Sequence, residues 1–213
     1  MEYAFNLNGA TVETILEFPV DKNRVVKRGQ ILSLLNGRIA DASFTKVLGI
    51  AAEDHSGVED MLNPRSNGAA LRVSCGSTAV FAADAPVITA ASGTDTKIVG
   101  DLGVNLADDS LKGGYLVLVS LGNGSTNTDS LGAVREITAH TSANQTFTVT
   151  PGGAACAGDV YAVLPQAGFE KLTLNAADKT KPGFLNTGAM FAVVGSDVKS
   201  LKYYVTPKTK VFA

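Results

Sequence analysis

The feature that most constrains this chain is its punctuation. Apolar or alternating runs of four to eight residues recur throughout, separated by clusters of Gly, Asn, Asp and Ser. Runs of that length suit strands and are too short for most helices. The clearest case is "GQILSLLNGRIADAS", which reads as strand, turn, strand. Its Asn36-Gly37 pair supplies the two positive-φ positions of a type I′ turn, the strongest short hairpin signal. "TKVLGIAAED" follows as a further strand, with Gly49 suited to a bulge or a close backbone approach. "ALRVSCGSTAVFA" adds two short strands. In the middle, 115–121, 132–139, 146–150 and 159–164 are strand candidates, and the strict alternation of "TFTVT" predicts one wet face. "FEKLTLN", "AMFAVVG" and "LKYYVTPKTKVF" complete the set, with Pro207 expected at an edge or an interruption.

Helix signals are scarce. "GVEDMLNP" (57–64) fits one or two turns stopped by Pro64, and "TVETILEF" (11–18) fits helix and strand alike. The expected class is therefore mainly β: two small β-barrel or β-sandwich-like modules with short hairpins and little helix. The weakest-patterned connection, 91–110, places the division, giving 1–20, 21–95 and 96–213 as the segments. Residues 1–20 carry Tyr3, Phe5, Ile15, Leu16 and Phe18 ahead of the first clear hairpin. They form either an opening strand paired within its own sheet or an extended N-terminal arm laid on a neighbour by strand addition.

Composition narrows function. The 213 residues are 45% hydrophobic and 18% charged, which is globular and argues against disorder throughout. Eighteen basic and twenty acidic residues leave a net charge of −2, without the basic footprint of a nucleic-acid binder. No apolar run approaches a membrane span, and the N-terminus has neither the basic nor the apolar region of a signal peptide, so a cytoplasm-like compartment is expected. Cys75 and Cys156 belong to no CxxC pair and are expected to be buried free thiols.

One stretch looks chemical. Glu53-Asp54-His55-Ser56 offers two carboxylates, an imidazole and a hydroxyl. Successive side chains of an extended strand alternate faces, so adjacency alone does not make these groups converge. The other histidine, His140, follows "REITA" at an expected turn, and no metal-ligand spacing links the two, so both are expected to be solvated loop residues. No GxSxG elbow occurs, and "LGNGSTNTDSLG" lacks the Lys-Ser/Thr ending of a phosphate loop; it reads as a long polar loop with a mobile tip. The chain has no tryptophan and five tyrosines, which weakens a sugar-stacking reading. An interaction protein is expected, with no catalytic residue, cofactor or metal.

The first module resembles a known family. "GQILSLLNGRIADAS", then "KVLGIAAEDHSG", then "LRVSCGSTAVF" is similar to the head decoration (capsid cement) proteins of tailed bacteriophages. The matching residues are Gly29, Ile31, Leu32, Val47, Gly49, Ile50, Ala51, Val73, Gly76 and Val80. "AVREITAHTSANQTFTVTPGGAACAGDVYAVLP" looks like β segments common in phage virion proteins. The resemblance implies a structural virion protein, made in the host cytoplasm, that binds the outside of an expanded capsid and stabilises it by bridging capsomers. Its implied partners are the major capsid protein and copies of itself, as a trimer or other small homo-oligomer, with no nucleic acid or membrane. Tyr3, Phe5, Ile15, Leu16 and Phe18 would then make capsid or subunit contacts. The alternatives are another β-rich virion component (head fibre, tail tube or baseplate protein), or a hydrolase or carbohydrate-binding module.

Overall fold

The computed structural model describes residues 1–7, 13–21, 23–41, 46–56, 70–76, 78–175, 178–184 and 190–208. Seventeen strands and no helix occur among them, so the fold is all-β. The helical turns expected at 57–64 lie outside the described residues. In the ambiguous 11–18 stretch, Ile15–Pro19 is a strand.

Three sheets form. A five-stranded sheet has the order β2 (Ile15–Pro19), β6 (Ala70–Cys75), β5 (Gly49–Ala51), β3 (Ile31–Leu35), β4 (Arg38–Asp41). The expected β3–β4 hairpin is present, and Asn36 and Gly37 take φ of 52° and 75°. Gly49 is a close approach: a Cβ there would collide with the Ser74 carbonyl of β6. The core of this sheet includes Val20, Val26, Leu32, Ile39, Leu71 and Val73.

The second sheet is a closed six-stranded barrel. Its order is β10 (Tyr115–Ser120), β11 (Val134–Thr141), β12 (Thr146–Val149), β9 (Lys97–Gly100), β8 (Val87–Gly93), β13 (Val160–Leu164) and back to β10. Ile98, Leu116, Ile137, Phe147 and Tyr161 are all fully buried in it. Each large apolar side chain buried this way stabilises the fold by about 1.5–3 kcal/mol. The expected alternation of "TFTVT" holds, with Phe147 and Val149 inward. The segment joining β9 to β10 closes one end by seating Leu106 and Leu111 in the same core.

The third sheet has the order β1 (Glu2–Asn6), β7 (Ala79–Asp84), β17 (Lys202–Pro207), β16 (Phe191–Asp197), β14 (Leu172–Leu174), β15 (Pro182–Phe184). Its core, with Phe81, Phe191, Val193, Tyr203 and Val205, is continuous with that of the barrel. Pro207 ends β17, an interior strand, so it acts as an interruption.

Pairing groups the chain differently from the 1–20, 21–95, 96–213 division. The cut at 95/96 falls between β8 and β9, which are hydrogen-bonded neighbours in the barrel. The C-terminal strands pair onto β7, a strand of the N-terminal half, because β7 offers β17 one edge and β1 the other. The first twenty residues also follow the consecutive strands β6 and β7 across two sheets: β1 pairs with β7, and β2 with β6.

Candidate functional site

The stretch 53–56 is used by the backbone. The Arg28 NH donates to Asp54 Oδ1 at 2.7 Å, and the Arg72 NH donates to Glu53 Oε1 at 3.0 Å. His55 forms an isolated antiparallel bridge with Val26 through both backbone groups. The two carboxylates thus diverge toward different segments, and the fold does not bring them together as an acid–base pair. Both histidines are buried, His55 at 7% exposure and His140 at 2%, which corrects the solvated-loop expectation.

Of the five expected contact residues, most are occupied within the chain. Tyr3 packs against the main core, Phe5 meets the Tyr204 ring at 5.5 Å, and Phe18 packs against the five-stranded core. Ile15 is half-buried, and Leu16 is the exposed one, at 46%.

The densest polar constellation was not visible in sequence. Asp159, fully buried immediately before β13, accepts from the Gly122 NH through Oδ1 at 2.9 Å. Its Oδ2 accepts from Asn127 Nδ2 at 2.9 Å and the Cys156 NH at 3.0 Å. Asn127 Nδ2 also donates to the Tyr161 hydroxyl at 2.9 Å, and its Oδ1 accepts from the Asp129 NH. Asp129 accepts from the Gly153 NH at 2.7 Å and pairs with Arg135, which is 3% exposed. Arg135 further donates to the carbonyls of Asp95 and Gly153. Burial by itself would raise the Asp159 carboxyl; hydrogen bonds from Cys156, Gly122 and Asn127 outweigh it and hold the group below its ordinary value.

This network ties down "GNGSTNTDSLG", so the loop expected to have a mobile tip is fastened to the barrel. Every carboxylate oxygen in it already accepts a hydrogen bond, which makes it a structural clasp rather than an acid–base site. Beside it, Cys156 is half-exposed, whereas Cys75 is buried as expected; both are free. The Thr126 hydroxyl and NH, with Ser125, favour the Cys156 thiolate and hold the thiol below its usual value. No group of three or more His, Cys, Asp or Glu side chains placed to hold a metal occurs among the described residues.

One outward-facing patch is apolar. A groove of about 580 Å³ lies between β10–β11 and the β16–β17 turn, lined by Val117, Val119, Val134, Val198 and Leu201 among others. Val119 is 37% exposed and Val134 45%. Leu121 and Leu131 flank them in sequence and are exposed as well. Single exposed apolar residues are ordinary, but a grouped set beside a groove marks a candidate contact face. Comparison with family models, with curated proteins and with solved structures gives no match.

Proposed function

We propose that this chain is a structural virion protein that binds the outer surface of a phage capsid and stabilises the shell by bridging capsomers. The observation that carries the reading is the contrast between its polar and apolar groups. The buried carboxylate clasp is internally satisfied, while the β10–β11 strip faces outward beside an open groove. That arrangement favours a protein that acts by contact over one that acts by chemistry. The sequence resemblance to decoration proteins adds the kind of partner. Its residues Ile31, Leu32, Val47, Ile50, Ala51 and Val73 are all buried, so the likeness is one of packing in β3, β5, β6 and the residues beside them.

A protein present in many copies on a lattice gains stability for that lattice by mass action, without any very strong single contact. Its partners would be the major capsid protein and copies of itself. Mixing the purified protein with expanded shells that lack it, then sedimenting, tests this. Co-sedimentation at micromolar concentration is expected, and a supernatant that keeps all the protein contradicts it. Sizing chromatography separates the alternative: rings or filaments of the isolated chain would favour a tail-tube or baseplate component, whereas a decoration protein runs as a monomer or small oligomer.

A further inference from the structure

His140 sits near the end of β11 with its ring buried and 5.0 Å from that of Phe147 on β12. Neither ring nitrogen has a hydrogen-bond partner. The same residue is the backbone anchor for the segment that closes the barrel. Its carbonyl accepts from the Asp109 NH at 2.7 Å, and its NH donates to Asp109 Oδ1 at 3.0 Å. Asp108 Oδ1 accepts from the Ser142 NH at 2.8 Å, and the Gly113 NH donates to the Ile137 carbonyl at 2.8 Å. Asp109 holds φ of 57° to make this clamp. Residues 101–114 therefore complete the sheet beside the second half of β11, with Leu106 and Leu111 as the plug.

We propose that His140 is an acid-released latch: as a neutral ring it seats the 101–114 segment on β11, and its protonation lets that segment open. A cation at this position has no hydrogen bond to a carboxylate in the closed form, and a charge buried without one is costly. The charged groups acting on the ring are Asp108 and Asp109, both from the closing segment, with the Ala107 carbonyl beside them; β12 contributes the uncharged Phe147. Turning either carboxylate toward an imidazolium pulls on the backbone NH that its Oδ1 now holds, that of His140 or Ser142. Both responses loosen the same clamp.

The direction of the pH dependence follows. Burial, opposed by the Ala107 carbonyl and the two aspartates, holds the closed-state imidazole below its ordinary value. Above about pH 6.5, the ordinary histidine value, both states are neutral and the latch is fully closed. As pH falls below that, the open state takes up the proton more readily, so the open population rises by up to about tenfold per unit. The rise ends once the closed state also binds the proton. This latch is independent of which partner the protein binds.

Amide hydrogen exchange on the intact chain, corrected for intrinsic rates, tests the proposal. Between pH 7.5 and 5.5, protection of the Asp109 and Gly113 amides should fall by up to about tenfold, while the Cys75 amide in β6 holds steady. His140→Phe, which keeps a planar ring beside Phe147, should remove that dependence. Unchanged protection in the native chain, or full pH dependence in His140→Phe, overturns the latch. Should that variant not fold, the Cε1 proton of His140 in the unaltered protein decides by its NMR titration. A midpoint below about 6.5 supports the latch, and one at or above it contradicts it.

Discussion

Arg135 and His140 occupy the two ends of the same strand and both face inward, but their surroundings differ in kind. Arg135 reaches a carboxylate and two carbonyls, and Asp129, Asn127 and Asp159 extend those contacts until each buried donor has an acceptor. His140 has backbone partners for its NH and carbonyl and none for its ring. The same barrel thus has one end held by a satisfied polar clasp and another closed by two leucines and a neutral imidazole. The contrast teaches that burial of a polar side chain does not itself say whether a site is rigid. What decides is whether its hydrogen bonds are complete.

Breaking the clasp should have the largest effect. Arg135→Met leaves the Asp129 carboxylate and two carbonyls without their donor, and should cost about 3–4 kcal/mol in denaturant unfolding. Asp159→Asn is milder, because the amide oxygen can still accept while its NH₂ faces donors. A loss of about 2 kcal/mol is expected. Either variant near zero would remove the distinction between the two ends.

The two ends also separate by pH. The Asp159 carboxyl is held below its ordinary value, so its contribution is complete above about pH 3.9 and is lost as pH falls through the lower folded-state value. The His140 end weakens at milder acidity, beginning below about pH 6.5. Acid unfolding of Asp159→Asn should therefore lose only the Asp159 share of its pH dependence in the carboxylate range, where Glu2, Asp41, Asp178 and Asp197 also contribute, and retain it in the histidine range. The smallest effect on stability belongs to the exposed strip. Leu131→Ser should change folding stability by less than about 0.5 kcal/mol. Paired with Val134→Ser, it should weaken shell binding in the sedimentation assay.

Much of the strand framework was legible from residue pattern, and the reasons for the misses are physical. Asn36-Gly37 announced its turn because few other residues tolerate φ above zero twice in succession. His140 was hidden by a register shift between Ile137 and Ala139. With Arg135 and Ile137 facing inward, strict alternation would have put Ala139 inside, and the irregularity puts His140 there instead. The clasp was hidden because its members come from four separate stretches, around 95, 127, 135 and 159. Only closure of the barrel brings Asn127 and Arg135 to the buried Asp159 and its neighbours, and no local spacing records that. Residues 1–20 fitted an opening strand and an extended arm alike because their partners, β6 and β7, lie far along the chain.

The proposed role, a contact protein on a capsid exterior, is tested most plainly by an electron cryo-microscopy reconstruction of the expanded shell mixed with the protein. The account predicts density matching the six-stranded barrel and its two companion sheets on the outside of the shell, spanning neighbouring capsomers. A shell exterior bare of it would contradict the account.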